Sequence, residues 1–182
     1  MCKINVFFAN GHEEIEGLTV IDIIRRAGLE VNVVSINEGL EVVGAHNITI
    51  KADKLLSEVD FEDGDMIVLP GGMPGTINLG NCEKLCEQIV KYNEEGKMIA
   101  AICAAPSVLG KLGVLQGKSA TCYPGFEDQL EGAVKTNSDV VKSHNVITAN
   151  GMGAAIEFGL AIIDHYLGKG KAKAIADAIL YK

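Results

Sequence analysis

The stretch Met98-Ile99-Ala100-Ala101-Ile102-Cys103-Ala104-Ala105-Pro106 runs from a strand pattern into a helix start without a charged residue. An unbroken apolar run ahead of Cys103 fits a strand covered on both faces, as in a parallel sheet. Pro106 fits the first turn of a helix, where a missing N–H is no loss. The same order recurs outward in both directions. Residues 3–9, 30–36, 66–69 and 146–149 read as further short strands, and residues 13–27, 81–96, 154–167 and 172–180 as helices. Strands alternating with helices predict an α/β fold, a doubly wound and mostly parallel sheet with helices on both faces. Residues 42–52 and 119–143 hold short strand-like pieces, expected as small hairpins at the sheet edge. One domain over residues 1–182 is expected, since a chain of this length can bury a core without disulfide or metal staples.

Composition excludes several classes of function. The formal net charge is −8 and the basic residues are scattered, which argues against a nucleic-acid partner. No apolar run approaches the roughly 18 residues of a membrane span, so no membrane partner is expected. The chain enters a strand pattern within its first residues, without a signal-peptide core, and a cytoplasmic location is the expectation. Five cysteines, with no C-x-x-C spacing, fit a reducing compartment. In the helix 81–96, Asn81 is the expected N-cap and Gly96 the stop, with Cys82, Leu85, Cys86, Ile89 and Asn93 on one stripe. Cys82 and Cys86 are accordingly expected in the core.

The chemistry concentrates at Cys103. Ala101 and Ala105 stand two residues to either side, matching a nucleophile elbow, a sharp turn that lifts one side chain above the sheet where large neighbours would clash. A helix N-terminus beneath the sulfur would stabilise a thiolate, which gives an expected titration at roughly 3.5–7.5. A buried strand-end cysteine among alanines fits the same letters. Glu16 shares a helical stripe with Val20, Ile23, Ile24 and Ala27, so it should face inward near the carboxyl edge of the first strand. There its pKa should be raised, leaving a carboxyl able to donate a hydrogen bond to a thiolate; a glutamate snorkelling to solvent is the alternative. Glu13 and Glu14 read as first-turn acids that complement the helix dipole.

Leu69-Pro70-Gly71-Gly72-Met73-Pro74-Gly75 leaves a strand on the same edge. It lacks the Lys and Ser/Thr of a phosphate loop, so no nucleotide cofactor is expected, and none of another kind. The N–H groups of Gly72 and Ala104 could form an oxyanion hole, with a simple tight turn as the other reading of the glycines. His12, four residues before Glu16, is the accessory histidine of interest, while His46 reads as a turn residue. The second histidine of H-E-x-x-H is missing after His12, so no metal is expected. Cys122 and Tyr123 are further accessory candidates, because their segment could fold near the site.

With these residues in hand, the sequence resembles the ThiJ/PfpI superfamily, in the branch of the Parkinson disease protein seven and YajL-type proteins. The likeness rests on Glu13-Glu14-Ile15-Glu16, Arg25-Arg26-Ala27-Gly28, Val68-Leu69-Pro70-Gly71-Gly72, residues 100–106 and residues 151–163. It implies a flavodoxin-like fold, a homodimer, an oxidation-sensitive Cys103 held by Glu16, and Gly72 and Ala104 as backbone donors. PfpI-type peptidases place a histidine directly after the cysteine, where this chain has Ala104, so that activity is not expected. Members credited with glyoxalase or deglycase activity carry a histidine where this chain has Tyr123. The first reading is therefore an oxidative-stress protein with a redox-responsive cysteine, its partners peroxide and unfolded clients of a chaperone-like activity. The second is a cofactor-independent glyoxalase or deglycase acting on small reactive aldehydes, and the third a non-catalytic binding protein.

Overall fold

The computed structural model describes residues 2–182. In chain order the elements are β1 (Lys3–Phe8), α1 (Glu14–Ala27), β2 (Glu30–Ser35), β3 (Glu41–Val43), β4 (Thr49–Lys51), β5 (Lys54–Leu55), β6 (Met66–Leu69), α2 (Gly75–Gly80), α3 (Glu83–Glu95), β7 (Met98–Ile102), α4 (Pro106–Lys111), β8 (Ser119–Ala120), β9 (Val134–Lys135), β10 (Val140–Ser143), β11 (Val146–Ala149), α5 (Ala155–Leu167) and α6 (Lys169–Ala178). Seven strands form the main sheet in the order β10-β11-β7-β6-β1-β2-β5. Every neighbouring pair in it is parallel except β10 with β11. The mostly parallel α/β fold read from the sequence is the one observed.

From β1 the chain winds outward through β2 to β5, then returns to β6 on the other side of β1 and continues through β7 to β11. The order of winding thus reverses between β1 and β6. At such a switch point the loops leaving the two strands diverge and open a crevice at the carboxyl edge of the sheet. The loops after β1, β6 and β7 meet at that crevice.

Side chains alternate across the sheet. Val6 and Phe8 of β1 with Ala100 and Ile102 of β7 pack against Val20 and Ile24 of α1 and Phe158 and Ile162 of α5. Phe7, Ile99 and Ala101 point the other way, onto Leu79, Leu85, Ile89, Tyr92 and Leu109 from α2, α3 and α4. Fully burying an Ile or Phe contributes about 1.5–3 kcal/mol, so these two layers supply most of the favourable term. Gly17 sets how close α1 lies to the sheet. A Cβ at that position would stand 2.3 Å from Cε1 of Phe8. This close approach brings the neighbouring Glu16 down over the strand ends.

Three expectations need correction. Residues 75–80 form a helix of their own, which ends at Asn81, so Cys82 rather than Asn81 caps α3. The inward stripe of α3 is then Leu85, Ile89 and Tyr92, while Cys82 and Cys86 lie half-buried on its flanks and not in the core. Residues 42–52 give the expected hairpin, β3–β4, and β10 forms an antiparallel hairpin with β11 at the edge of the main sheet, whereas β8 and β9 pair in parallel. The last helix begins at Lys169, three residues before its expected start at 172.

Candidate functional site

Cys103 follows β7 immediately and takes a left-handed backbone conformation, φ 63°. For a residue with a Cβ this conformation is unfavourable and persists only where the surroundings fix it. Three hydrogen bonds do so. The Cys103 N–H donates to Ala149 O at 2.9 Å, the Tyr123 N–H donates to Cys103 O at 2.8 Å, and the Ala105 N–H donates to Ile102 O at 3.1 Å. The turn lifts the half-buried thiol out of the sheet plane, toward the loops after β1 and β6.

Glu16 arrives from α1 and is buried, with 1 % of its surface exposed. The Gly71 N–H donates to its Oε2 at 2.9 Å, and its carboxyl lies beside the Cys103 thiol, each shifting the acidity of the other. The backbone N–H groups of Ala104 and Gly72 are directed at the Cys103 sulfur. Glycine is required at both positions of the Gly71-Gly72 pair. A Cβ on Gly71 would lie 2.7 Å from both Cys103 Cβ and Glu16 Oε2; one on Gly72, where φ is +89°, would lie 2.2 Å from the Glu13 nitrogen. Sequence reasoning named Gly72 and missed Gly71. The signal was its place two residues beyond Leu69, which puts its N–H at the strand end facing α1.

Burial raises the Glu16 carboxyl to about 7, against the opposing pull of Cys103 and the Gly71 N–H. With Glu16 ionised, burial and then the adjacent carboxylate push the Cys103 thiol up to about 12, while the N–H groups of Ala104 and Gly72 pull it down. The two groups therefore form one coupled acid that carries a single negative charge near neutrality. That charge is better placed on sulfur. Two backbone N–H groups favour negative sulfur, whereas the backbone offers the carboxylate only the Gly71 N–H, and Glu16 Oε1 has no partner among the described residues. A protonated Glu16 removes the repulsion and can donate its own proton in a hydrogen bond to the thiolate. The helix N-terminus contributes less to this acidity than the sequence suggests. Helix α4 has six residues, so few peptide dipoles add up beneath the sulfur, and burial opposes them.

The accessory residues have other settings. His12 is fully buried, edge-on to Phe8 with ring centroids 4.8 Å apart, and its Nδ1 lies 3.1 Å from Ala9 O. Burial lowers its pKa, so the ring is neutral. Its backbone packs under the Gly71–Gly75 loop, where a Cβ on Gly75 would stand 2.6 Å from the His12 nitrogen. Tyr123 clamps Cys103 through its main chain, with its side chain half exposed. Cys122 is buried within the core layer of Phe7 and Leu109, on the opposite face of the sheet from the layer against which Cys103 packs. Burial pushes its thiol up to about 11.

Glu14, read as a first-turn acid of α1, does stand in the first turn and is buried as well. It accepts from the His46 N–H at 2.8 Å, and its Oε2 lies 2.9 Å from His46 Nδ1. Burial alone would raise its carboxyl, but the His46 side chain and nearby backbone N–H groups outweigh this and hold it at about 2. The pair fastens the β3–β4 hairpin to α1 beside the site. Glu13, Glu14 and His46 bring ligand atoms within 4.8 Å of one another, but both Glu14 oxygens are already engaged by His46.

The DJ-1/PfpI family profile matches residues 2–165. The chain belongs to the DJ-1/PfpI family. It is 39% identical over 177 residues to the dj-1beta protein of Drosophila melanogaster, covering 96% of this chain and 95% of that protein. DJ-1 homolog B of Arabidopsis thaliana is 36% identical over 182 residues, but this chain spans only 42% of its length, and 45% of the Arabidopsis homolog A. Among solved structures, oxidised Toxoplasma gondii DJ-1 superposes with a TM-score of 0.95 at 40% identity, covering 100% of this chain and 99% of that one. Membership makes the chain a DJ-1-type protein with the flavodoxin-like sheet of the DJ-1 structures. No helix among the described residues is long and apolar enough to cross a membrane.

Proposed function

We propose that the chain is a redox-responsive DJ-1-type protein whose Cys103 is oxidised by peroxide to a sulfinate held in place by the site. One observation carries this reading: a thiol on a left-handed turn stands beside a buried carboxyl, so close that a Cβ on Gly71 would lie 2.7 Å from both side chains, and the N–H groups of Gly72 and Ala104 favour negative charge on the sulfur. A sulfinate adds oxygen acceptors where those donors already converge, and charge-assisted hydrogen bonds of this kind are the stronger ones. The deciding experiment is peptide mass spectrometry after graded peroxide.

The raised carboxyl of Glu16 favours a second reading. A group that titrates near neutrality suits proton transfer, so Cys103 could add to the aldehyde of methylglyoxal as a hemithioacetal while Glu16 supplies and removes protons. The family members credited with this turnover use a histidine where Tyr123 stands. The expected result is loss of one reactive thiol per chain without lactate. Lactate accumulation that disappears in Cys103→Ala would replace the sensor with an enzyme.

A homodimer fits the same reading. Ile15 and Leu18 on α1 and Val43 and Ile48 on or beside the hairpin are exposed apolar side chains on neighbouring elements, and pairing with a second copy would cover them. Sedimentation at micromolar concentration should give a dimer that Ile15→Glu dissociates. A wild-type monomer would remove the proposal.

A further inference from the structure

On the opposite face of the sheet from the Cys103 layer, α2, α4 and the segment after Tyr123 enclose a cavity of about 350 Å³. This is within the range of small-molecule sites, roughly 300–1,000 Å³. Its apolar lining comes from Met73, Ile77, Val108 and Phe126. Met73 and Ile77, on the wall formed by α2 and the residues before it, are large apolar side chains left about half exposed. Two polar groups stand among them. Thr76 lines the cavity, is 4% exposed, and has a hydroxyl without a hydrogen-bond partner among the described residues. Lys111, on the last turn of α4, also lines it and makes no ion pair among the described residues.

We propose that this cavity binds a small monoanion with an apolar body, an aryl or alkyl carboxylate, whose carboxylate pairs with Lys111 while the body fills the space between Met73, Ile77, Val108 and Phe126. The chemistry selects this class. One ammonium group matches one negative charge, whereas a phosphate dianion is ordinarily met by several cations or a cluster of backbone N–H groups. In a chain of net charge −8, a lysine without a carboxylate partner beside an apolar cavity is a local attraction for anions. The Thr76 hydroxyl is shielded from the cavity, so Lys111 is the polar group that meets the ligand.

The cavity wall reaches the Cys103 turn through single hydrogen bonds. Ser107, a lining residue, donates its hydroxyl to Ala104 O at 2.7 Å, and the Thr76 N–H donates to Gly72 O at 2.9 Å. A ligand in the cavity is therefore reported by the amides of Gly72 and Ala104 as well as by those of its own lining. This site does not depend on any reactivity of Cys103.

The test is a titration of the ¹⁵N-labelled full chain with 3-phenylpropionate and, separately, with its uncharged amide, followed by amide chemical shifts. The expected result is saturable shifts at Thr76, Ile77, Ser107 and Lys111, with smaller ones at Gly72 and Ala104. The acid should bind about tenfold more tightly than the amide, the scale of one hydrogen bond to a charged group. Lys111→Gln should bring the acid to the affinity of the amide. Thr76→Val should leave both affinities within about twofold and the melting temperature no lower, since it replaces an unpaired hydroxyl, shielded from the cavity, with a methyl group of similar shape. Shifts scattered elsewhere, equal binding of acid and amide, or an unchanged affinity in Lys111→Gln would overturn the proposal. Lys111 is a surface residue, so that variant decides even if Thr76→Val does not fold.

Discussion

Graded peroxide should oxidise Cys103 before Cys2, Cys82, Cys86 and Cys122, and the main product should carry two added oxygens. The first step is attack of the thiolate on one peroxide oxygen; the O–O bond breaks, hydroxide leaves, and a sulfenic acid forms. A second peroxide oxidises the sulfenate to the sulfinate and leaves as water. The rate of the first step follows the thiolate population and its access. Burial raises Cys2 and Cys122 to about 11 each, offset only in part by the Tyr166 hydroxyl at Cys2 and by Lys135 at Cys122; Cys103 reaches about 12 only while Glu16 is ionised. Burial also raises Cys86, whose S–H is 3.3 Å from Gly80 O. Only Cys103 combines a carboxyl able to keep the proton with two N–H groups that favour negative sulfur.

The product depends on whether a second thiol can reach the sulfenic acid. Cys122 is adjacent through the main chain, since the Tyr123 N–H binds Cys103 O, but its side chain turns into the other core layer. Forming a disulfide would require that layer to open. Peptide mass spectrometry should therefore find the sulfinate on the peptide containing Cys103, and Cys103→Ala should abolish the modification altogether. First oxidation at another cysteine, or a Cys103–Cys122 disulfide as the main product, would sink the mechanism.

How much of this site was legible in advance follows from the range of each interaction. The strand, the turn at Cys103 and the inward face of Glu16 rest on local signals: an apolar run, small residues at the elbow, and a helical stripe. Parallel pairing of β6 with β7 then brings the Gly71-Gly72 loop alongside. The burial of Glu14 was not legible because it is made by a hairpin whose turn residue, His46, lies more than thirty residues away. No periodicity in α1 announces that contact. Cys82 and Cys86 were misplaced because the short helix Gly75–Gly80 consumes Asn81 as its own end, which rotates the stripe of α3. The small share of helix α4 in the acidity of Cys103 was not legible, because the sequence shows a helix start but not how soon that helix stops.

Replacing Glu16 should move the thiolate titration of Cys103 upward, and the direction of that shift decides where the proton of the pair resides. In the wild type, the first proton should leave at or below the value of about 7 that burial gives Glu16, with thiolate absorbance rising in that step. This is below the ordinary thiol value of about 8.5. Two outcomes are opposed in sign. If Glu16 holds the proton, Glu16→Ala removes a donor from a charged sulfur, worth about 1.5–3 kcal/mol, and the inflection rises by roughly one to two pH units. Glu16→Gln keeps a neutral donor of the same reach and should raise it by less. If Glu16 were instead ionised beside a neutral thiol, both substitutions would delete a negative neighbour, and the thiol would become more acidic. Ultraviolet titration of the three proteins, with Cys103→Ala as the blank for the other four cysteines, measures the shift directly. A downward shift in Glu16→Gln would place the charge on the carboxylate. It would also remove the thiolate on which preferential oxidation of Cys103 rests, so the titration and the peroxide series must agree in sign.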